Sequence, residues 1–324
     1  MPSERPHFNK VLVTGGAGFI GCNFVRLLLT DRLAFSANEV LVVDSLTYAA
    51  NLSSIQDFID SERIKFVHGD IVDFSMLLDI SVGTNLIVNF AAESHVDRSI
   101  MDSSQFILSN ILGVDNLLNA ARQNNVEMFI QVSTDEVYGS IESGSWDESF
   151  PLQPNSPYSA SKAAAELISR AHRNTHGQDI RITRCCNNYG PFQNQEKFIP
   201  TCINRLKSNQ KIPIYGSGSQ MREWIHVEDH CIGIGMVIAN GKSGEIYNIG
   251  SGEEVTNLEL ALTIASHLNK GEEVIDFVED RKGHDFRYSL DFRKIKEIGF
   301  APTKKLQNEI PKLVSWYEHS GTQS

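Results

Sequence analysis

Long apolar runs are missing from this sequence. No stretch of its 324 residues approaches the run of about 18 apolar residues that a membrane-spanning helix requires, and the opening MPSERPHFNK has no apolar segment of the kind a secretory signal needs. No membrane contact is expected, and a cytoplasmic setting is. Cysteine is scarce: Cys22, Cys185, Cys186, Cys202 and Cys231 are odd in number and never spaced as C-x-x-C. That excludes the usual zinc and dithiol patterns and leaves buried, reduced thiols as the expectation. The histidine pairs His172/His176 and His226/His230 have the i, i+4 spacing of a metal grip, but neither lies in H-E-x-x-H and no third ligand follows at a telling distance. No metal site is expected. Basic runs are absent as well, and a formal net charge of −11 repels nucleic acid and anionic surfaces. An anionic small molecule would have to be met by cations gathered locally from a minority of Lys and Arg.

What the chain does have is rhythm. With 41% hydrophobic and 21% charged residues it reads as a globular protein of one large or two modest domains. Apolar strand-like runs at 11–14, 40–43, 64–70, 86–91, 128–134 and 180–185 alternate with helix-length segments at 19–30, 74–80, 104–124 and 158–176. That order predicts an α/β fold with a Rossmann-type, doubly wound parallel sheet. After Asn187 the rhythm breaks, with a helix expected at 198–208, a polar loop at 216–223, a return at 245–252, a helix near 257–268, a strand near 274–278 and a last helix near 306–318. The expected division is a dinucleotide domain over 1–186 plus about 226–251, and a smaller interleaved C-terminal lobe over about 187–225 and 252–324. The two would close over one cleft.

VTGGAGFIGCNF follows the first strand and opens the first helix. Gly15, Gly18 and Gly21 satisfy G-x-x-G-x-x-G, a turn whose missing side chains let a pyrophosphate approach the helix N-terminus. Asp44 ends the second strand about twenty residues on, the spacing for a carboxylate that takes the adenosine ribose hydroxyls and repels a 2′-phosphate. NAD is therefore favoured over NADP. Asp70, after the third strand, and Ala91 and Ala92 in FAAES are candidates for the adenine side and the floor.

PYSASKAAAE sets Tyr158 and Lys162 at i, i+4 on one helix face. A free tyrosine is a poor base at neutral pH. A neighbouring ammonium favours its phenolate, so such a pair suits removal of a hydroxyl proton as hydride leaves the same carbon. STDEVYG, ending the fifth strand, adds Thr134, Asp135 and Glu136. Two adjacent acids can serve as base and proton donor if their environments push their pKa values apart, but successive strand residues face opposite ways. Both can serve one substrate only if the chain is already turning there.

At these motifs, together with DSLTYAANL, NFAAESHVDRSI, NNYGP, EKFIP, PIYGSGSQMREWIHVEDH, EIYNIG and DRKGHDFRY, the chain resembles the extended short-chain dehydrogenases/reductases. Among these it is similar to the dTDP-glucose 4,6-dehydratases over nearly its whole length. The resemblance implies catalytic NAD and a nucleotide-sugar substrate, with Tyr158 as base tuned by Lys162 and Thr134, Glu136 removing the C5 proton and Asp135 protonating the C6 hydroxyl that leaves. It carries Phe19, Ile20, Ser45, Thr47, Ile71, Ser94 and Asn188 over as further NAD contacts. Ser94, Thr134, Asn187, Lys197, Phe198, Pro213, Tyr215, Arg222, Asn257, Arg281 and His284 carry over as substrate contacts, with His95 and Arg98 as flanking groups. It also implies a homodimer paired through the segments 104–124 and 158–176.

The chain departs from the family pattern at Gln193–Gln195, Cys186, Lys282, Ser45 and Ala50. None is a proton-transfer group, but the departures leave UDP open beside dTDP as the nucleotide. A UDP-glucose 4,6-dehydratase and a UDP-sugar 4-epimerase remain the alternatives, with a uronate decarboxylase further off. The Asp135–Glu136 pair separates them, since epimerisation needs the Tyr-Lys pair and no acid pair. A non-catalytic NAD-binding scaffold would have no use for all four groups.

Overall fold

The structure, a computed structural model, describes residues 5–280 and 284–320. Its first six strands are β1 (His7–Thr14), β2 (Ser36–Asp44), β3 (Lys65–His68), β4 (Leu86–Asn89), β5 (Met128–Thr134) and β6 (Ile180–Cys185). Six shorter ones follow: β7 (Asn187–Tyr189), β8 (Ile212–Tyr215), β9 (Met221–His226), β10 (Ile246–Ile249), β11 (Glu254–Thr256) and β12 (Ile275–Val278). β10 joins the first six in a seven-stranded sheet of order β3-β2-β1-β4-β5-β6-β10, with every neighbouring pair parallel. This is the doubly wound sheet that the strand–helix alternation predicts. The order reverses between β1 and β4, and ligands of such sheets bind where the strand ends part at that point.

The apolar runs are continuous because both faces are covered. Along β1, Val11 and Val13 enter one core with Phe24, Val25 and Ile234, while Leu12 enters another with Leu41, Leu117 and Phe129. Period-two alternation thus feeds two apolar layers. The helix Pro157–His176 starts at a fixed place because Ser156 caps it: its hydroxyl accepts the Ser159 amide, and the Ser159 hydroxyl accepts the Ser156 amide in return. Proline at the first helical position reinforces that start. Tyr158 and Lys162 therefore lie on the first turns of a well-anchored helix.

Two segments differ from expectation. The stretch 104–124 is not one α-helix: Ser104–Ile107 is α-helical, Leu108–Gly113 widens into a π-turn, and Val114–Gln123 resumes. The cause lies at Asn110, which is buried in the π-turn; its amide donates to the Glu93 carbonyl and the Ser161 hydroxyl while its oxygen accepts the Glu93 N–H. A widened turn holds the loop after β4 and the helix that carries Tyr158 and Lys162 at once, a common use of π-bulges near functional sites. The second difference is a helix at Val227–Asn240 where the sequence gives no period. It is buried nearly all round, and a Cβ on Gly233 would stand 2.8 Å from the Ile249 side chain, so glycine serves close packing there.

The later strands form a second assembly: a three-stranded sheet β11-β9-β7 and a parallel pair β12-β8. The helices Phe198–Lys207, Asn257–His267 and Leu306–Ser320 enclose its own core of Ile199, Leu206, Ile212, Trp224, Leu260 and Ile310. The chain enters this assembly after β6, returns to the large sheet through Val227–Asn240 and β10, and leaves it again at β11. Among the described residues no helix is long and apolar enough to cross a membrane.

Candidate active site

β5 carries its chain to the C-terminal edge of the sheet and then turns. Thr134 keeps extended dihedrals (φ −141°, ψ 155°), and Asp135–Tyr138 follow as a single turn of 3-10 helix capped by the Thr134 hydroxyl, which accepts the Glu136 N–H at 3.3 Å. The same hydroxyl donates to Asp135 Oδ1 at 3.2 Å. The turn that the adjacent acids require is therefore present, and Asp135 and Glu136 line one cleft with Thr134, Tyr158 and Lys162. Asp135 is 1% exposed, and its Oδ2 is buried without a hydrogen-bond partner among the described residues. Burial, with Glu136 and Glu223 nearby, holds its carboxyl well above the ordinary value. Such burial favours the protonated form of the carboxyl.

Tyr158 departs from the expectation of a lowered phenol. Burial, then the charges of Glu136, Cys185 and Asp135, push it well up, against a hydrogen bond from Thr134 that pulls it down. The ammonium of Lys162 is turned to the Val132 carbonyl at 2.7 Å, and burial brings Lys162 down to about 8. In this arrangement desolvation, with the Glu136 charge next, sets the direction of the shift. A phenol so placed gives up its proton only when further positive charge is brought beside it.

The residues at the β1 turn fit a dinucleotide. A Cβ on Gly15 would lie 2.5 Å from the Ala91 amide nitrogen, and one on Gly21 would lie 2.2 Å from the Gly15 carbonyl, so side chains there would fill the turn. Gly18 caps Phe19–Leu29 without a side-chain bond, and no acid lies in the first turn, which leaves the helix N-terminus suited to a pyrophosphate. Gly15, Gly18, Phe19, Ile20, Gly21, Ala92, Ser94 and Asn188 line the same cleft as the catalytic group. Asp44, Ser45, Thr47, Asp70, Ile71 and Ala91 line an adjoining one that shares Gly15, Gly18 and Ala92. Asp44 is fixed there by the Ala17 N–H at 2.9 Å and the Leu46 N–H at 2.8 Å.

A third cleft, sharing Ser94, Glu136, Asn187 and Lys197 with the first, runs into the second assembly and takes in Phe198, Arg222, Asn257 and His284. Lys197 donates to the Ser94 carbonyl at 3.0 Å. Arg222 sits over the Tyr288 ring at 4.3 Å and donates to the carbonyls of Met221, Asp285 and Phe286, so it also clamps the segment that brings His284. Tyr215 adjoins this cleft through its ring contact with His284. Pro213, half-buried in β8, lines none of the three clefts, and Arg281 lies outside the described residues.

Several groups were not singled out from sequence. Tyr288 and Asp285, joined by a 2.6 Å hydrogen bond, line the third cleft with Asn155 and Trp224. Tyr288, Asp285 and Trp224 sit inside motifs already noted, so their family context was the available signal. His230 is buried, lowered to about 3 by that burial, and its Nδ1 lies 2.9 Å from Asn188 Oδ1. It therefore helps to position Asn188. No cluster of metal-ligating side chains occurs among the described residues.

The Asp135 carboxyl gives a stability test. Its folded-state pKa is raised above the ordinary value near 3.8, so the folded form holds the proton more tightly than the unfolded chain. The stability this contributes is complete below the unfolded value and is lost as pH rises through the folded one. Asp135→Asn has no such loss and is expected to gain on the parent as pH rises. Denaturant melts across the acid-to-neutral range check this, and parallel curves for the two proteins would contradict it.

Comparison with known proteins adds names to this geometry. The family model described as GDP-mannose 4,6 dehydratase matches residues 12–313. A dTDP-glucose 4,6-dehydratase of Streptomyces niveus is 46% identical over 95% of this chain and 92% of its own length. The low-salt glycan biosynthesis protein Agl12 of Haloferax volcanii is 46% identical over 95% and 98%. Among solved structures, DesIV of Streptomyces venezuelae, a dTDP-glucose 4,6-dehydratase with NAD bound, superposes with a TM-score of 0.95 at 50% identity, covering 97% of this chain and 98% of that one. On matches of that depth and length, the chain belongs to the dTDP-glucose 4,6-dehydratase family.

Proposed function

We propose that this protein is an NAD-dependent lyase that converts dTDP-glucose to dTDP-4-keto-6-deoxyglucose. The observation that carries the reading is the turn after β5, which brings a buried, proton-holding Asp135 and Glu136 into the cleft of Tyr158 and Lys162. Bound against the β1 glycines and Asp44, NAD supplies a hydride acceptor with a positively charged ring, taking hydride from C4 of the sugar and returning it to C6. Tyr158, with Lys162 and Thr134 beside it, removes the O4 proton. The resulting ketone acidifies the C5 proton, which Glu136 removes. Asp135 gives its proton to the C6 hydroxyl, which leaves as water, and as hydride returns to C6 the C5 carbon takes its proton back from Glu136. General acid–base groups of this kind contribute roughly 10²–10⁴-fold each.

On the substrate side, Lys197 and Arg222 are the cations that an overall acidic chain must gather to receive a diphosphate, with His284 and Arg281 assigned the same role. Asn187, Phe198, Asn257, Tyr215 and Pro213 are assigned to the sugar and base. The chain divides, in this proposal, into a dinucleotide domain (1–186 and about 226–251) and a nucleotide-sugar lobe (about 187–225 and 252–324). The five cysteines are free and buried, which suits the cytoplasm.

Incubation with substrate deuterated at C4, as the dTDP and UDP sugars in parallel, tests the reaction. Loss of one water with the label kept and now on C6 is expected, faster for dTDP. A product of unchanged mass would mean epimerisation and would sink the roles given to Asp135 and Glu136.

A homodimer completes the proposal. Ile100, Met101, Ile107, Leu112 and Leu167, on neighbouring helices, expose apolar side chains, Met101 to 80% and Leu167 to 53%, and contiguous patches of this kind mark interaction surfaces. The helices that carry Leu112 and Leu167 pack side by side. Sedimentation is expected to give twice the chain mass for the parent and the single mass for Leu112→Glu/Leu167→Glu. A monomeric parent would refute it.

A further inference from the structure

Three segments meet over the cofactor side of the first cleft. Tyr48 and Ala49, from the loop after β2, line one wall, and Asn194 and Glu196, from the loop before Phe198–Lys207, line the other. Their side chains sit at the rim: Tyr48 is 40% exposed and Glu196 43% while both face the cleft. Arg98, on the helix Val96–Met101, joins them. Its guanidinium lies 3.8 Å from the centroid of the Tyr48 ring and donates to Glu196 Oε1 at 2.7 Å. The Asn194 amide donates to the Tyr48 carbonyl at 3.2 Å, and its oxygen accepts the Glu196 N–H at 2.8 Å. The Tyr48 hydroxyl donates to Glu93 at 3.2 Å. Asn194 stands in the stretch where the sequence departs from the family pattern.

We infer that Tyr48, Arg98, Asn194 and Glu196 form a strap that holds NAD in its cleft through the whole reaction cycle. The inference rests on the proposed dehydration. In that reaction the hydride taken from C4 must return to C6 of the same sugar, so cofactor lost between the two transfers strands both the hydride and a half-reacted sugar. An enzyme that only needs to bind NAD once per oxidation has no such requirement. The strap answers it because the loop that carries Ser45 and Thr47, beside the ribose-binding Asp44, is tied across the cleft mouth to the loop that carries Lys197. For NAD to leave, both the ion pair and the amide tie have to open.

Each tie alone is modest. An exposed ion pair is worth little, and the stacked guanidinium adds a comparable amount. Together they are expected to slow release by about threefold to tenfold. They are positioning residues, and their signature is a rate of cofactor release.

The test loads the full-length protein with radiolabelled NAD, adds excess unlabelled NAD without any sugar nucleotide, and follows loss of label. Arg98→Gln, Glu196→Gln and Asn194→Ala are each expected to release label faster than the parent, by no more than the factor above, and Arg98→Gln/Glu196→Gln no faster than the faster single variant. Raised salt is expected to speed release from the parent and to leave Glu196→Gln unchanged. With sugar present, the variants are expected to stall during turnover and recover when NAD is added. Release at the parental rate by variants with parental melting temperatures would overturn the strap, as would effects in the double variant that simply multiply. A parent that binds no NAD would instead remove the cofactor reading itself, so the two failures are separable.

Discussion

In a parallel sheet, neighbouring residues of a strand point to opposite faces, so two adjacent acids cannot serve one substrate while the strand continues. The site depends on β5 ceasing to be a strand after Thr134. The threonine hydroxyl accepts the Glu136 N–H and donates to Asp135, so one side chain both closes the 3-10 turn and holds one of the acids. The turn falls beside β4, near the point where the strand order reverses, so the acids emerge next to the cofactor cradle and Tyr158. The groups proposed for elimination and for oxidation thus share one cleft because one strand end and one helix start are held against each other.

What holds them is buried charge. Arg184, on β6, pairs with Glu166 on the catalytic helix at 2.6 Å, both almost wholly buried, and lies 4.5 Å from the centroid of the Tyr138 ring in the turn. Removing one partner of such a pair leaves an uncompensated charge and costs far more than the pair contributes. Glu223 does similar work from the other side: it accepts the amides of Ser251 and Gly252 with one oxygen and that of Leu290 with the other, and its charge helps keep Asp135 protonated. Burial of an acid whose protonated form is favoured costs stability once that acid ionises, and the surrounding network keeps it in place.

Much of this was legible in the sequence because the requirements are local. Glycines at a strand-to-helix turn, an acid at the next strand end, Tyr158 and Lys162 a turn apart, and Asp135 beside Glu136 each reflect chemistry that constrains a few neighbouring residues. The rest depends on contacts between distant segments. Nothing near Asn110 announces that its amide will reach Glu93 and Ser161 and widen a helix, and Val227–Asn240 conceals its helicity because it is buried nearly all round and so carries no polar stripe. The lowered tyrosine expected from the Tyr-Lys spacing failed for the same reason: the spacing gives the lysine's direction along the helix, but the burial and the acids that raise the phenol come from β5 and its turn. Pro213 was carried over by motif alone, and the motif did not bring it to a cleft.

The division of labour between the two halves of the site is the central claim, and Glu136→Gln tests it most directly. Mixed with stoichiometric dTDP-glucose in a single turnover, the variant is expected to build up the absorbance of reduced nicotinamide and to leave the sugar with its water unlost, because the proposed base Tyr158 still takes the O4 proton as hydride passes from C4 to NAD while the C5 proton stays. Water loss at the parental rate, or no reduced nicotinamide at all, would contradict the account: the first would free Glu136 from the elimination, and the second would place it in the oxidation.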